Sequence, residues 1–260
     1  MSDTDDPRPS ERVRFTGGLG VELAGRIDGA GESPQAWAVL AHCFTCGKDL
    51  KSLGIIAQAL AGHGVATLRF DFTGVGESGG DFGATTLSSH IDDLLAGTAL
   101  MRDRFGGPGL LFGHSLGGAV ALLAASRVPA VRAVATLAAP SDTTHFRDTL
   151  LRRIPDLATR GEGSIALGGS RFRITRRLLD DLAAHRIDEA VEVLGRPLLV
   201  LHSPADRTVA VAEGEALFAR ARQPKSFVCL DGADHLLLAR DGDARRAGEI
   251  LATWAAPYLR

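Results

Sequence analysis

The spacing of apolar residues along this chain changes rhythm three times, and each change predicts a different kind of structure. Residues 12–18 and 21–28 are two short apolar-rich runs separated by glycine, the pattern of a β-hairpin. Residues 29–35, GAGESPQ, predict a loop. At residues 36–44, AWAVLAHCF is a continuous apolar run, as expected for a strand covered on both faces. Residues 49–64 then carry apolar side chains at helical spacing and stop at a glycine. The exchange repeats with a strand at 65–72 and a helix at 87–106 capped by Ser88 or Ser89. A strand at 109–115, a helix at 116–128 and a strand at 131–140 follow. Such alternation predicts an α/β fold with a mostly parallel sheet, helices on both faces and right-handed crossovers.

The alternation stops at residue 141 and returns near 197. Between them, residues 165–175 predict a small hairpin around Gly168 and Gly169, and 176–185 and 188–195 predict helices. A strand at 197–206, a helix at 210–222, a strand at 226–235 and a closing helix at 244–259 complete the pattern. The domain reading is therefore a disordered start at 1–10, a core at 11–140 and 197–260, and a mainly helical insertion at 141–196.

Charge and composition narrow the function classes. The net charge is −2 and 45% of residues are apolar, so no basic excess asks for a nucleic-acid partner. No apolar run reaches the ~18 residues of a membrane span, and MSDTDDPRPSER lacks the basic start and apolar core of a signal peptide. The expectation is a cytoplasmic protein. Three cysteines, Cys43, Cys46 and Cys229, are too few and odd in number for a disulfide framework.

The sharpest chemical signal is Gly113-His114-Ser115-Leu116-Gly117, a Gly-x-Ser-x-Gly between an apolar strand and an Ala- and Gly-rich helix. That context is the nucleophile elbow, in which small residues let strand and helix approach across a strained turn. The Leu116 N–H, at the helix start, faces any oxyanion formed at Ser115. A serine hydroxyl needs a base, and on this fold the acid and then the base follow in chain order. Asp206 and His235 lie in loops after the later strands, at the same sheet edge as Ser115. His235 is the expected base and Asp206 the residue that fixes its tautomer; Asp231 and Asp234 compete for the second role.

With those motifs the whole chain resembles an α/β-hydrolase. AHCFTCGKDLKS, LRFDFTGVGESGGDF, GHSLGG and LGGSRFRITRRLLDDL are similar to the hydrolase half of bifunctional α/β-hydrolase/OsmC-like proteins. In that group an OsmC-like domain, associated with thiol-based peroxide reduction, follows the hydrolase; here the sequence stops at Arg260. The resemblance implies a serine hydrolase of small esters or thioesters, no metal or organic cofactor, and an OsmC-like protein as a partner. A non-catalytic docking module for that partner is the rival expectation. In such hydrolases the loop after the third strand reads His-Gly-x, with the N–H of x as second oxyanion donor. The matching residues are His42, Cys43 and Phe44, so Phe44 is the implied donor and Cys43 stands where glycine is usual.

Cys43 and Cys46 form Cys-x-x-Cys, which has two readings. One is a structural oxyanion loop with reduced thiols; the other is a redox-sensitive pair at a helix start. Two thiolates are too few for zinc. GVGESG at 74–79 matches a dinucleotide fingerprint, but no helix opens directly after it, so a loop beside the site is expected. The insertion carries seven arginines between 152 and 177 against Asp156 and Glu162, a solvated basic face or a source of one inward guanidinium. Phe146, Leu150, Phe172 and Ile174 are candidate pocket-lining residues, with His42 and His114 beside the nucleophile. His42 is also expected to steady the oxyanion loop.

Overall fold

A computed structural model describes residues 10–29, 33–167 and 169–260. The chain enters as a hairpin, β1 (Ser10–Thr16) and β2 (Glu22–Asp28), as its two apolar runs predict. Ser10 already belongs to β1; the rest of the stretch expected to be disordered lies outside the described residues, as do 30–32 of the expected loop. Then follow β3 (Ala36–Ala41), α1 (Lys51–Gly62), β4 (Val65–Phe70), α2 (Leu87–Phe105), β5 (Leu110–His114), α3 (Leu116–Ala124) and β6 (Ala133–Leu137). The insertion contributes α4 (Thr144–Arg153), α5 (Leu157–Arg160), β7 (Glu162–Leu167), β8 (Ser170–Thr175), α6 (Arg176–Ala184) and α7 (Ile187–Glu192). The core resumes with β9 (Leu198–His202), α8 (Val211–Arg220), β10 (Lys225–Cys229) and α9 (Asp243–Leu259).

Among the described residues the core strands form one eight-stranded sheet in the order β1-β2-β4-β3-β5-β6-β9-β10. β2 runs antiparallel to both β1 and β4, and every other neighbouring pair of the sheet is parallel. Strand alternation splits the core in two. Val39, Leu68, Leu111, Val134 and Val200 face α2, α3 and α8, whereas Leu40, Phe112, Ala135, Leu199 and Leu201 face α1 and α9. This is why the central strands read as unbroken apolar runs: both faces are covered. β3 lies between β4 and β5, so the chain leaves it in one direction and returns on its other side. Loops at such a reversal diverge and leave a crevice at the carboxyl edge, where α/β sheets bind ligands.

Two expectations are corrected here. The cap of α2 is Thr86, whose hydroxyl accepts from Ser89 N, while Ser89 Oγ accepts from Thr86 N; Ser89 is the far half of a capping box and not the cap. Ser88 instead bonds Asp181 and His185 of the insertion. In the insertion the β7–β8 hairpin forms about Gly169, with Gly168 outside the described residues, but α4 has no counterpart in the predicted elements. Its sequence, THFRDTLLRR, is polar on most sides, and only Leu150 is fully buried. No described helix is long and apolar enough to cross a membrane.

Candidate active site

Ser115 sits between β5 and α3 with φ 56° and ψ −123°, a conformation a residue with a Cβ rarely adopts. The surroundings hold it there. Ser115 N donates to Leu137 O at 2.8 Å, and Ser115 O accepts from Gly118 N at 2.8 Å. A Cβ on Gly113 would strike the Gly117 carbonyl, and one on Gly117 would lie 2.5 Å from both the Ala41 and His42 carbonyls. The glycines therefore let α3 drop onto the ends of β3 and β5, which sets the Leu116 N–H beside the loop carrying Phe44.

His235 and Asp206 arrive from the far side of the sheet. His235 Nδ1 meets Asp206 Oδ2 at 2.7 Å, and Asp206 Oδ1 accepts from Thr208 N at 2.8 Å and Val209 N at 3.0 Å. Burial pushes the Asp206 carboxyl up, but the His235 bond and charge and those two N–H groups outweigh it and hold it below its usual range. His202, at the end of β9, supports the same loop by bonding Val209 O at 3.0 Å. Asp234 is turned into its own loop, accepting from Leu238 N at 2.8 Å and Ala239 N at 2.7 Å, and Asp231 is exposed. Neither replaces Asp206 at His235.

Ser115, Leu116, Phe44 and His235 line one cavity of about 490 Å³. No hydrogen bond joins Ser115 Oγ to His235 among the described residues; such bonds often close only around a substrate. The opposite wall is α4, which contributes Phe146, Thr149, Leu150 and Arg153, and the hairpin adds Ile165. Four expected lining residues stand elsewhere. His42 is turned inward: its Nδ1 bonds Cys43 O at 2.6 Å and its Nε2 accepts from Phe72 N at 3.2 Å. It steadies the Cys43–Phe44 loop from behind. His114 is buried beneath His235, bonding His235 O at 2.8 Å, and burial, reinforced by His235, pushes its pKa down to about 3. Phe172 packs on Phe82, which packs on Phe44, and Phe44 packs on Phe146, with ring centroids 4.7–5.1 Å apart. Phe172 thus anchors the hairpin to the loop carrying Phe44, and Ile174 of the same hairpin is buried away from the cavity lining.

Of the two readings of the Cys-x-x-Cys pair, the structure departs from reduced thiols: Cys43 and Cys46 are joined as a disulfide, with Cα atoms 5.3 Å apart. The turn in which Cys46 N donates to Cys43 O brings them together, and both line the cavity. Behind this loop is a buried charge cluster that the sequence does not announce. Asp71 accepts from Lys48 N at 2.6 Å, Glu77 N at 3.0 Å and Lys48 Nζ at 3.1 Å, and Lys48 Nζ also bonds Asp49 and Glu77 at 2.7 Å. Burial pulls the Lys48 ammonium down, yet the bonds to Asp49, Glu77 and Asp71 prevail and hold it above its usual range. The cluster ties the Cys43–Lys48 loop to the GVGESG loop, which runs into a 3-10 turn at Phe82–Ala84 and not into a phosphate-binding helix. Among the described residues no group of three or more His, Cys, Asp or Glu could hold a metal ion.

A family model described as serine aminopeptidase, S33, matches residues 33–162. The chain is also 40% identical to the esterase domain of a Rhodothermus marinus protein, covering 97% of this chain and all of that one, with a TM-score of 0.78. The chain belongs to the α/β-hydrolase family of serine hydrolases. This α/β-hydrolase shares its fold with Est1E from Butyrivibrio proteoclasticus, solved with ferulic acid bound: 20% identity, TM-score 0.75, and coverage of 95% and 99% of the two chains. The uncharacterized protein YfhR of Escherichia coli O157:H7 is 24% identical over 250 residues, 93% of the hydrolase chain and 79% of YfhR.

Proposed function

We propose that this α/β-hydrolase cleaves small carboxylic esters or thioesters through an acyl-enzyme on Ser115. The observation that carries the proposal is the convergence of three groups on one cavity. These are a strained Ser115 at a helix start, a His235 held by a buried Asp206, and the backbone at Phe44 and at Leu116, the first residue of α3, both of which line the cavity. His235 Nε2 takes the Ser115 proton as Oγ attacks the carbonyl carbon. Asp206 holds the Nδ1–H tautomer and stabilises the imidazolium. The Phe44 and Leu116 N–H groups receive the tetrahedral oxyanion, a contribution worth about 3 kcal/mol per donor in such sites. The imidazolium then protonates the departing alcohol or thiol. Water, deprotonated by His235, releases the acid and restores Ser115.

The insertion acts in this reading as a cap, with α4 roofing an apolar pocket that suits an acyl chain. The 40% identity to an esterase domain favours ester chemistry over peptide cleavage. The test is intact mass after reaction with a small fluorophosphonate. One adduct on the parent and none on Ser115→Ala is expected, followed by turnover of p-nitrophenyl esters by the parent alone. No adduct on either protein, with and without reductant, sinks the proposal.

A further inference from the structure

Seven arginines crowd the insertion between residues 152 and 177, and the structure separates one from the rest. Arg173 is bound to Asp81 and Glu162, Arg176 to Asp180, and Arg171 to Ser164. Arg152 bonds Thr149 Oγ1 at 2.8 Å, and Arg152, Arg160 and Arg177 do not line the cavity. Arg153 lines the cavity, and among the described residues its guanidinium has neither an ion pair nor a hydrogen bond. No carboxylate lines the same space, so apart from His235 this guanidinium is its one ionisable group able to meet an anion, with His145 already bonded to Thr208 O at 3.1 Å.

The position along α4 gives the geometry. Phe146, one end of the apolar ridge, packs on Phe44 beside the proposed oxyanion hole, at 4.7 Å between rings. Arg153 is seven residues on, which is roughly 10 Å along the helix. Between them lies the apolar surface of Leu150, with Ile165 of the hairpin completing the wall. A ligand spanning this wall meets a hydrogen-bonding centre at one end, an apolar middle and an exposed, unpaired guanidinium at the other.

We propose that Arg153 is a specificity-determining residue that selects substrates whose end remote from the scissile carbonyl is a carboxylate, such as half-esters of linear dicarboxylic acids. The proposal rests on the esterase reading and names the substrate class for that site. A carboxylate fits better than a phosphate, because one planar guanidinium satisfies a planar monoanion bidentately and a dianion calls for a second cation. Position at a helix C-terminus is also favourable for an arginine, but Arg152 has that position too and stays out of the cavity, which makes it the control.

The experiment compares kcat/KM for the mono-p-nitrophenyl ester of octanedioic acid with that for p-nitrophenyl octanoate. The expected result is a preference of about tenfold for the charged ester in the parent, corresponding to about 1.4 kcal/mol. That ratio collapses towards one in Arg153→Gln, is partly kept in Arg153→Lys and persists in Arg152→Gln. Raised salt should shrink the parent's ratio. Equal turnover of both esters by the parent, or a preference that survives in Arg153→Gln, overturns the assignment of Arg153 alone. Turnover of neither ester overturns the esterase reading, and this inference with it.

Discussion

The two walls of the cavity are built in different ways. The sheet-side wall, which carries Ser115, Leu116 and the Cys43–Cys46 loop, is fixed by strand ends, close glycine contacts and the buried Lys48–Asp71 cluster. The insertion-side wall is one amphipathic helix, α4, held by the Phe44–Phe146 contact, Leu150 and a bond from buried Thr143 to Leu182 O. Its flanking ion pairs are exposed, as in Arg173 with Asp81 and Arg176 with Asp180. The lesson is a division of labour. In the proposed reading, the groups that need accurate placement stand on the more heavily braced wall, and the groups that would choose a ligand stand on the one with fewer buried contacts.

The comparison breaks first at Asp206. Asp206→Asn leaves the shape of the sheet-side wall intact but removes the acceptor that fixes the His235 tautomer. A loss of about 10⁴-fold in kcat is expected, with the fold retained by circular dichroism. A loss of less than tenfold would mean that another group orients His235.

Acid should weaken the sheet side before the insertion. His90 and His114 are buried, and burial holds both pKa values near 3 against an ordinary 6.5. Between those limits only the unfolded chain takes up the protons, so stability is full above about 6.5 and falls as pH drops towards 3. The slope is up to about 1.4 kcal/mol per pH unit for each ring. Denaturant melts at stepped pH check this, and His90→Gln should flatten the fall. A melt insensitive to pH across the window would contradict it.

Opening the Cys43–Cys46 bond sharpens the comparison at a smaller scale. A loop of four residues closed by a disulfide contributes about 2 kcal/mol by the chain-entropy relation. Reductant should lower the melting midpoint and also change kcat, because Phe44 lies between the two cysteines. A parallel Cys43→Ser, Cys46→Ser variant should show the same midpoint and no further response to reductant. Equal activity in reductant and oxidant would leave the bond a purely structural tether. The smallest effect is expected on the insertion surface, where Arg173→Ala removes two exposed ion pairs. The midpoint should stay within experimental error, because water and salt already screen these charges.

Much of the core was legible in the sequence. Unbroken apolar runs marked β3 to β6 and β9, and the Gly-x-Ser-x-Gly fixed where the chain turns into α3. The insertion was legible as an interruption, but α4 was not, because a helix that buries so few side chains leaves a weak periodic signal. His42 and His114 were expected to line the cavity. His42 follows a strand that ends at Ala41, and its ring turns back onto Phe72, while His114 points below His235. The Cys-x-x-Cys spacing marked two sulfurs as neighbours without marking their oxidation state.

Sequence alone determined the order of the core strands and helices, the elbow at Ser115 and the loops that carry Asp206 and His235. These are written in periods of two or 3.6 residues and in glycines flanking a turn, which act over a few neighbouring positions. Tertiary structure decided which aspartate meets His235, which arginine of seven lines the cavity, and that Lys48 and Asp71 pair behind the Cys43–Cys46 loop. Those contacts join residues from separate elements. They depend on where each rigid element ends and which way its last side chain points, and local spacing carries neither quantity.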